Sequence, residues 1–316
     1  EVAYVYGVST VPKFQKHGYA RILLQFVMET LKEMKIKKIE LCIFLCFATF
    51  SYAQKVIDQA YIKCSYHYTE LQDTVSRNVL DDYPILLIGE RVSKFYSPKT
   101  YSNDSLRMTP DGNRKSREEL SEAIKIYQAT GNDNLITAHV HGTIKYYIYK
   151  GYPQNETLTL IDRIADNFYQ YEETGYNQLW EMKDSTKTIL GYECQKAECE
   201  FRGRHWTAWF ASEVPVSNGP WKFGGLPGLI MEVYDRGRQY VFTINGLQKT
   251  TESITFTMDK QLFRNLEKVE RKKMNKMLMN FRRNENSINT AMTGIDFDSG
   301  NTSKQLNYDF IERDYW

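Results

Sequence analysis

Tyr61-Ile-Lys-Cys-Ser-Tyr-His-Tyr-Thr69 alternates side chains that prefer an interior with side chains that tolerate water. A period of two is the signature of a half-buried strand, in which successive side chains point to opposite faces. The pattern recurs at Lys145-Tyr-Tyr-Ile-Tyr149, Leu158-Thr-Leu-Ile161, Asn167-Phe-Tyr-Gln-Tyr171, Leu179-Trp-Glu-Met182 and Glu198-Cys-Glu-Phe-Arg202, with Gly, Pro and Asn turns between. Short strands at close spacing predict an antiparallel sheet. The 23 Tyr and 16 Phe agree, because flat rings pack well on a pleated surface.

Two helices are expected beside the sheet. One covers about 116–128, where Ser116 and Glu119 form a capping box. The other is long and charged, from about Asp259 to Arg283, with Leu262, Leu266, Val269, Met274, Met277, Leu278 and Phe281 as its apolar stripe. The expected body is therefore α+β: a curved antiparallel sheet with one early helix and one long C-terminal helix. From about residue 284 the chain is polar and reads as an irregular tail ending in aromatics.

The 316 residues carry 41 Lys+Arg against 39 Asp+Glu, a net charge of +2, so no global charge favours a nucleic-acid partner. Met34-Lys-Ile-Lys-Lys-Ile-Glu-Leu-Cys-Ile-Phe-Leu-Cys-Phe-Ala-Thr-Phe-Ser-Tyr-Ala-Gln54 has the three parts of a secretory signal: basic residues, an apolar stretch and small residues before a cut. The apolar stretch, Leu41 to Phe50, falls well short of the about 20 residues that span a bilayer. The expectation is a signal peptide over Met34–Ala53, translation from Met34, a periplasmic or secreted product beginning at Gln54, and no stable membrane span. That product keeps Cys64, Cys194 and Cys199. Cys194 and Cys199 are an odd number of positions apart on one strand, which predicts opposite faces roughly 16 Å apart, so only Cys64 could pair with either.

Ahead of Met34, Val2 to Val8 reads as a strand and Arg21 to Glu33 as a helix, joined through Gln15-Lys-His-Gly18-Tyr-Ala20. This segment resembles the Q/R-x-x-G-x-G/A signature of GNAT N-acetyltransferases. The resemblance implies acetyl-CoA held at Val8, Gln15, Lys16, His17, Gly18, Tyr19 and Ala20, where a helix N-terminus and close backbone N–H groups suit a pyrophosphate. That family's next strand and its downstream helix should follow Lys38, where the signal-like stretch stands instead. Residues 1–33 therefore read as a partial fragment, from a fusion or a gene boundary, and acetyltransferase activity is the alternative function.

Asn218-Gly-Pro-Trp-Lys-Phe-Gly-Gly-Leu-Pro-Gly-Leu-Ile230 contains the letters that name the GLPGLI family. Leu190-Gly-Tyr-Glu-Cys194, Phe201-Arg-Gly-Arg-His-Trp-Thr-Ala-Trp-Phe210, Glu213-Val-Pro215, Ile88-Gly89 and Ser93-Lys-Phe-Tyr-Ser97 resemble its recurring blocks. The resemblance covers residues 34–316 and implies export, a β-rich body and no established activity. Two readings of the signature stay open. It is either a compact corner packing Trp221 and Phe223 into the core, or a groove for a small ligand or an envelope protein. The groove would be lined by Trp206, Trp209, Trp221, Phe223, Gly224 and Gly225, with Arg202 and Arg204 at the rim. His139-Val-His141 could place two imidazoles on one strand face, but no acidic or Cys partner is identifiable nearby, and no metal site or cofactor is assigned to the body.

Overall fold

The computed structural model describes residues 55–71, 75, 79–107, 109–130, 143–164, 167–256, 266–284 and 308–315. The acetyltransferase-like segment, the signal-like stretch, and His139 and His141 lie outside them.

Strand β1 (Lys55–Leu71) carries the alternation in its second half, where Cys64, Tyr66, Tyr68 and Glu70 are buried in turn. After it come β2 (Val79–Asp82), β3 (Ile85–Gly89), β4 (Ser93–Tyr96), helix α1 (Pro98–Arg107) and helix α2 (Pro110–Thr130). Then follow β5 (Tyr147–Lys150), β6 (Leu158–Ile164), β7 (Asn167–Glu173), β8 (Glu181–Ile189), β9 (Tyr192–Phe201) and β10 (Arg204–Ala211). The described chain continues through β11 (Leu229–Asp235), β12 (Tyr240–Lys249), β13 (Ser253–Phe256), β14 (Glu267–Lys268) and helix α3 (Arg271–Arg283).

All fourteen strands belong to one sheet, ordered β14-β7-β6-β5-β4-β3-β1-β12-β11-β10-β9-β8, with β2 and β13 paired to β1 off that path. Strand β1 holds its centre, with Cys64 opposite Leu86 of β3 on one side and Leu247 of β12 on the other. The sheet curls far enough for inward residues of β5–β7 and of β9–β12 to share one core, with Ile148, Leu160, Trp206, Phe210 and Phe242 all in it. The opposite face of β5 and β6 builds a smaller cluster from Tyr147, Tyr149, Ile161, Phe168 and Phe256.

The expected α+β body with a long C-terminal helix is corrected here. The protein is mostly β, one large mixed sheet with three short helices among the described residues. Glu267 and Lys268, placed by the apolar stripe in mid-helix, instead pair in parallel with Tyr169 and Gln170 of β7, and helix begins only at Arg271. An unpaired strand edge carries a row of open N–H and C=O groups. Satisfying those of β7 outweighs a helical periodicity that is local and weak. Leu266 and Val269 still pack inward, but from an extended chain.

The early helix is likewise two. Ser97 caps α1, its Oγ receiving the Thr100 N–H at 3.4 Å ahead of Pro98. Thr109 plays the same part for α2, accepting from the Gly112 N–H at 3.0 Å ahead of Pro110. Proline at the first helical position follows a hydroxyl cap in both cases. The start at Pro110 leaves Ser116 inside α2, so the expected capping box does not form.

Cys64, Cys194 and Cys199 are free and buried in the same core, not divided between faces. Strict alternation breaks along β9 between Cys194 and Ala197, the stretch opposite which β8 carries extra residues between Lys183 and Thr186. Burial pushes the Cys64 and Cys199 thiols up to about 12 and Cys194 to about 11. The thiolate is the reactive form, so these are packing residues.

One buried cation yields a pH prediction. Lys94 of β4 is 3% exposed, with its Nζ 4.9–5.8 Å from the ring centroids of Tyr96, Tyr101, Tyr147 and Tyr149. Ring faces attract an ammonium, yet loss of water dominates, and burial pulls Lys94 from 10.5 down to about 7. From about pH 7 to 10.5 the unfolded chain holds a proton that the native chain has released, so this residue makes stability rise with pH across that window. Lys94→Met is expected to flatten the rise. Urea denaturation of parent and variant at pH 7 and about pH 9 checks it, and identical differences in the two proteins would overturn it.

Candidate functional site

Between β10 and β11 the chain makes a compact corner. The Leu229 N–H donates to the Val214 carbonyl and the Ile230 N–H to the Asn218 carbonyl, both at 3.0 Å, which ties the end of the loop to its start. Gly228 is required by close approach, since a Cβ there would lie 2.2 Å from the Ala211 carbonyl oxygen. Gly225 has φ +81°, in the left-handed region that glycine enters without penalty. Trp221, with φ +50°, occupies that region without being glycine.

The loop winds around a lysine from outside it. Lys150, at the end of β5 and 8% exposed, donates from Nζ to Asn218 Oδ1 at 3.0 Å, the Gly219 carbonyl at 2.8 Å and the Phe223 carbonyl at 2.5 Å. Three acceptors match the three hydrogens of an ammonium. Burial acts against that charge and lowers Lys150 to about 7. Gln178 closes the other flank by accepting the Gly224 N–H at 3.0 Å, and the Trp180 indole donates to the Gly224 carbonyl at 2.7 Å.

The structure brings three of the candidate loop residues together. Trp206 and Phe223 stand edge to face at 4.7 Å, and Trp221 lies 5.1 Å from Phe223 and 5.9 Å from Trp206, all three buried. Trp209 is on the opposite face of β10, half-buried, with Lys187 Nζ 4.5 Å from its ring centroid. Arg204 is buried and donates to Asp235 at 2.9 Å and to the carbonyls of Asp309, Phe310 and Ile311. It anchors the segment 308–315 across β10. Arg202 does the same from the β9–β10 turn, reaching Asp314 at 3.2 Å and Glu173 at 2.5 Å.

That segment completes an ion network. Lys222, fully buried, points Nζ at Glu173 and Glu312, each 2.5 Å away. Arg271 of α3 bonds both oxygens of Asp314, at 2.7 and 2.8 Å, and also Glu312. Asn275 donates to Glu312 at 2.8 Å. Three cations (Arg202, Lys222, Arg271) face three carboxylates (Glu173, Glu312, Asp314). Burial alone would raise the Glu312 carboxyl, but Lys222 and Arg271 outweigh it and hold it below its usual range.

Beside the network opens a recess of about 50 Å³, walled by Trp221, Tyr171, Phe310 and Ile311 and by the ends of several inward rows. In β1 the row Cys64, Tyr66, Tyr68 ends at Glu70, and in β6 the row Leu158, Leu160 ends at Asp162. Both carboxylates line the recess and are buried, 7% and 8% exposed. Glu70 accepts from the Tyr68 hydroxyl at 2.9 Å and Asp162 from the Arg163 N–H at 2.6 Å. Burial pushes Asp162 up to about 6, against that N–H and the charges of Arg282, Lys145 and Arg163. The Tyr146 hydroxyl, also on the recess, is buried without a hydrogen-bond partner.

Sequence reasoning singled out Trp221 but missed Glu70, Asp162, Lys150 and Glu312. Parity held a signal for the first three, each a charged residue continuing an inward apolar row. Glu312 had none, because its partners come from distant parts of the chain. Among the described residues no three His, Cys, Asp or Glu side chains gather into a metal-binding set, and no helix is long and apolar enough to cross a membrane.

Residues 198–232, from β9 through the signature corner into β11, match the model of a protein family of unknown function (Porph_ging). Residues 1–50 match the acetyltransferase (GNAT) family. No curated protein matches the chain. Two solved structures of PNGF-II, in space groups P21 and C2, superimpose with TM-scores of 0.44 and 0.43 at 13% and 14% identity. Each alignment covers 71% of this chain and 34% or 33% of the other, so this chain spans about a third of the PNGF-II chains.

Proposed function

We propose that the protein is an exported, envelope-associated binding module of the GLPGLI type that takes a small polar ligand in the recess beside Trp221. The recess carries the reading: two buried carboxylates and a partnerless hydroxyl line a space with one wall from the signature corner. Buried polar groups ordinarily find partners within the protein, and a concave space with a few convergent polar groups is the usual form of a ligand site. Export is supported by the basic, apolar and small-residue order of Met34 to Gln54.

Expression from Met34 in a diderm bacterium is expected to give a periplasmic or secreted product whose intact mass begins at Gln54, and native mass spectrometry should find a small molecule bound to it. An uncleaved cytoplasmic product would sink export, and a ligand-free protein that binds none of a panel of small polar molecules would sink the binding role.

A second reading, acetyl-CoA binding by Val8, Gln15, Lys16, His17, Gly18, Tyr19 and Ala20, is favoured by the match of residues 1–50 to the acetyltransferase family. Retention of the full chain on CoA-agarose with elution by free CoA would support it, and passage straight through would remove it.

A further inference from the structure

We infer that the groove holding residues 308–315 is an exchangeable peptide site, through which two copies of this chain join by each laying its segment in the other's groove. The segment forms no strand and stands outside the sheet order, so side chains of the body grip it instead. Arg204 donates to the carbonyls of Asp309, Phe310 and Ile311 at 2.9–3.1 Å. The Tyr240 hydroxyl donates to the Asp309 carbonyl at 2.6 Å, and the Arg313 N–H to the Arg202 carbonyl at 2.8 Å. Tyr308, Phe310, Ile311 and Tyr315 are buried in the main core. Main-chain hydrogen bonds combined with side-chain pockets are how proteins hold peptides.

Charge specifies the occupant. The groove side sets Arg202, Arg204, Lys222 and Arg271 against Glu173 and Asp235, leaving positive charge in excess. The segment brings Asp309, Glu312 and Asp314 against Arg313, leaving negative charge in excess, and each groove cation pairs with at least one of those three acids. Without the segment, buried cations would face too few carboxylates, which is costly. The groove therefore calls for an acidic, aromatic segment, whichever copy supplies it. The connection leaves that choice open. Helix α3 ends at Arg283, and the Arg282 guanidinium lies 5.9 Å from the Tyr308 ring centroid, so the two ends of the connection lie close together. Yet 23 residues, 285–307, join them, where connections in compact domains commonly take about 4–6. A tether of that length reaches up to about 80 Å when extended. Closed and exchanged copies make the same groove contacts, so concentration sets the balance between them. The exchanged dimer gains as the protein approaches the effective concentration of a tethered segment, on the order of 1 mM.

The test uses the full chain with a specific-protease site inserted between residues 285 and 307. It is refolded from urea at about 10 μM and at about 1 mM, and its size is read by gel filtration with light scattering. Monomer is expected at the lower concentration and at least tenfold more dimer at the higher. Cutting the tether should return that dimer to monomer size, because only the tethers link the copies. A charge-exchanged pair gives a second arm: Lys222→Glu in one copy and Glu312→Lys in the other place like charges together in either closed monomer. Only the exchanged heterodimer matches them, so refolding the two together at about 10 μM should give at least tenfold more dimer than either alone. If the charge variants fail to fold even together, the parent arm decides by itself. A dimer that survives cutting of the tether is held by another face and overturns the inference. So does the absence of dimer both from the parent at the higher concentration and from the mixed pair.

Discussion

Replacing Trp221 by alanine is expected to lower stability by about 3–5 kcal/mol, the usual cost of truncating a large buried aromatic. Trp221 is 1% exposed, packs against Phe201, Trp206 and Phe223 at centroid distances of 5.1–5.9 Å, and walls the recess. Little nearby can move in to fill the gap, because the loop is pinned by Lys150 on one side and Gln178 on the other. The positive φ remains in the alanine variant, so no backbone strain is released to offset the lost packing. For a body of this size the cost corresponds to a fall in melting temperature of roughly 6–20 °C. Trp209→Ala, at a half-buried ring on the other face of β10, should cost less than half as much. Thermal melts of both variants decide the matter, and a Trp221→Ala protein that melts with the parent would show that the corner is not a core anchor.

The second large effect is electrostatic. Glu312→Gln leaves Lys222, Arg202 and Arg271 facing only Glu173 and Asp314, with one positive charge in excess at a site where Lys222 has no exposure. Breaking a buried pair from one side typically costs about 3–5 kcal/mol. The companion variant carrying both Lys222→Met and Glu312→Gln restores two cations against two carboxylates and is expected to recover part of the loss. Equilibrium urea denaturation of the single and double variants measures it. A single variant costing less than about 1 kcal/mol, or a double variant no better than the single, would mean that the network is not a balanced unit. The sign with pH follows from the lowered Glu312 pKa: its contribution is complete above the unfolded carboxyl value of 4.5 and is lost as pH falls through the lower folded value.

How much of this could be read in advance differs by element. The inward row Cys64, Tyr66, Tyr68 is local, and its period of two locates β1 and the face it buries without any other information. Ser97-Pro98 and Thr109-Pro110 were equally local helix starts, obscured because the Asn, Asp and Ser residues that follow resemble a turn. Glu267 and Lys268 were not legible, since their pairing depends on an open edge of β7 about a hundred residues earlier. The signature corner was legible as an aromatic, glycine-rich unit around Trp221 and Phe223, but not the lysine at its centre. Arg202 and Arg204 could be seen to matter, while their direction depended on Asp309, Asp314 and three carbonyls whose proximity no spacing rule conveys.

The central position of β1 carries a kinetic consequence. Its neighbours in the sheet are β3, at 85–89, and β12, at 240–249, so one side of the strand is satisfied early and the other only after most of the chain is present. Pairings of such long sequence range slow folding, because loop entropy is lost before the contacts that offset it form. A chain that emerges with residue 55 ahead of residue 240 carries β1 half-paired until the later strand arrives. Delayed closure of this kind leaves one edge of β1, with its row of open N–H and C=O groups, unpaired until residues 240–249 are available.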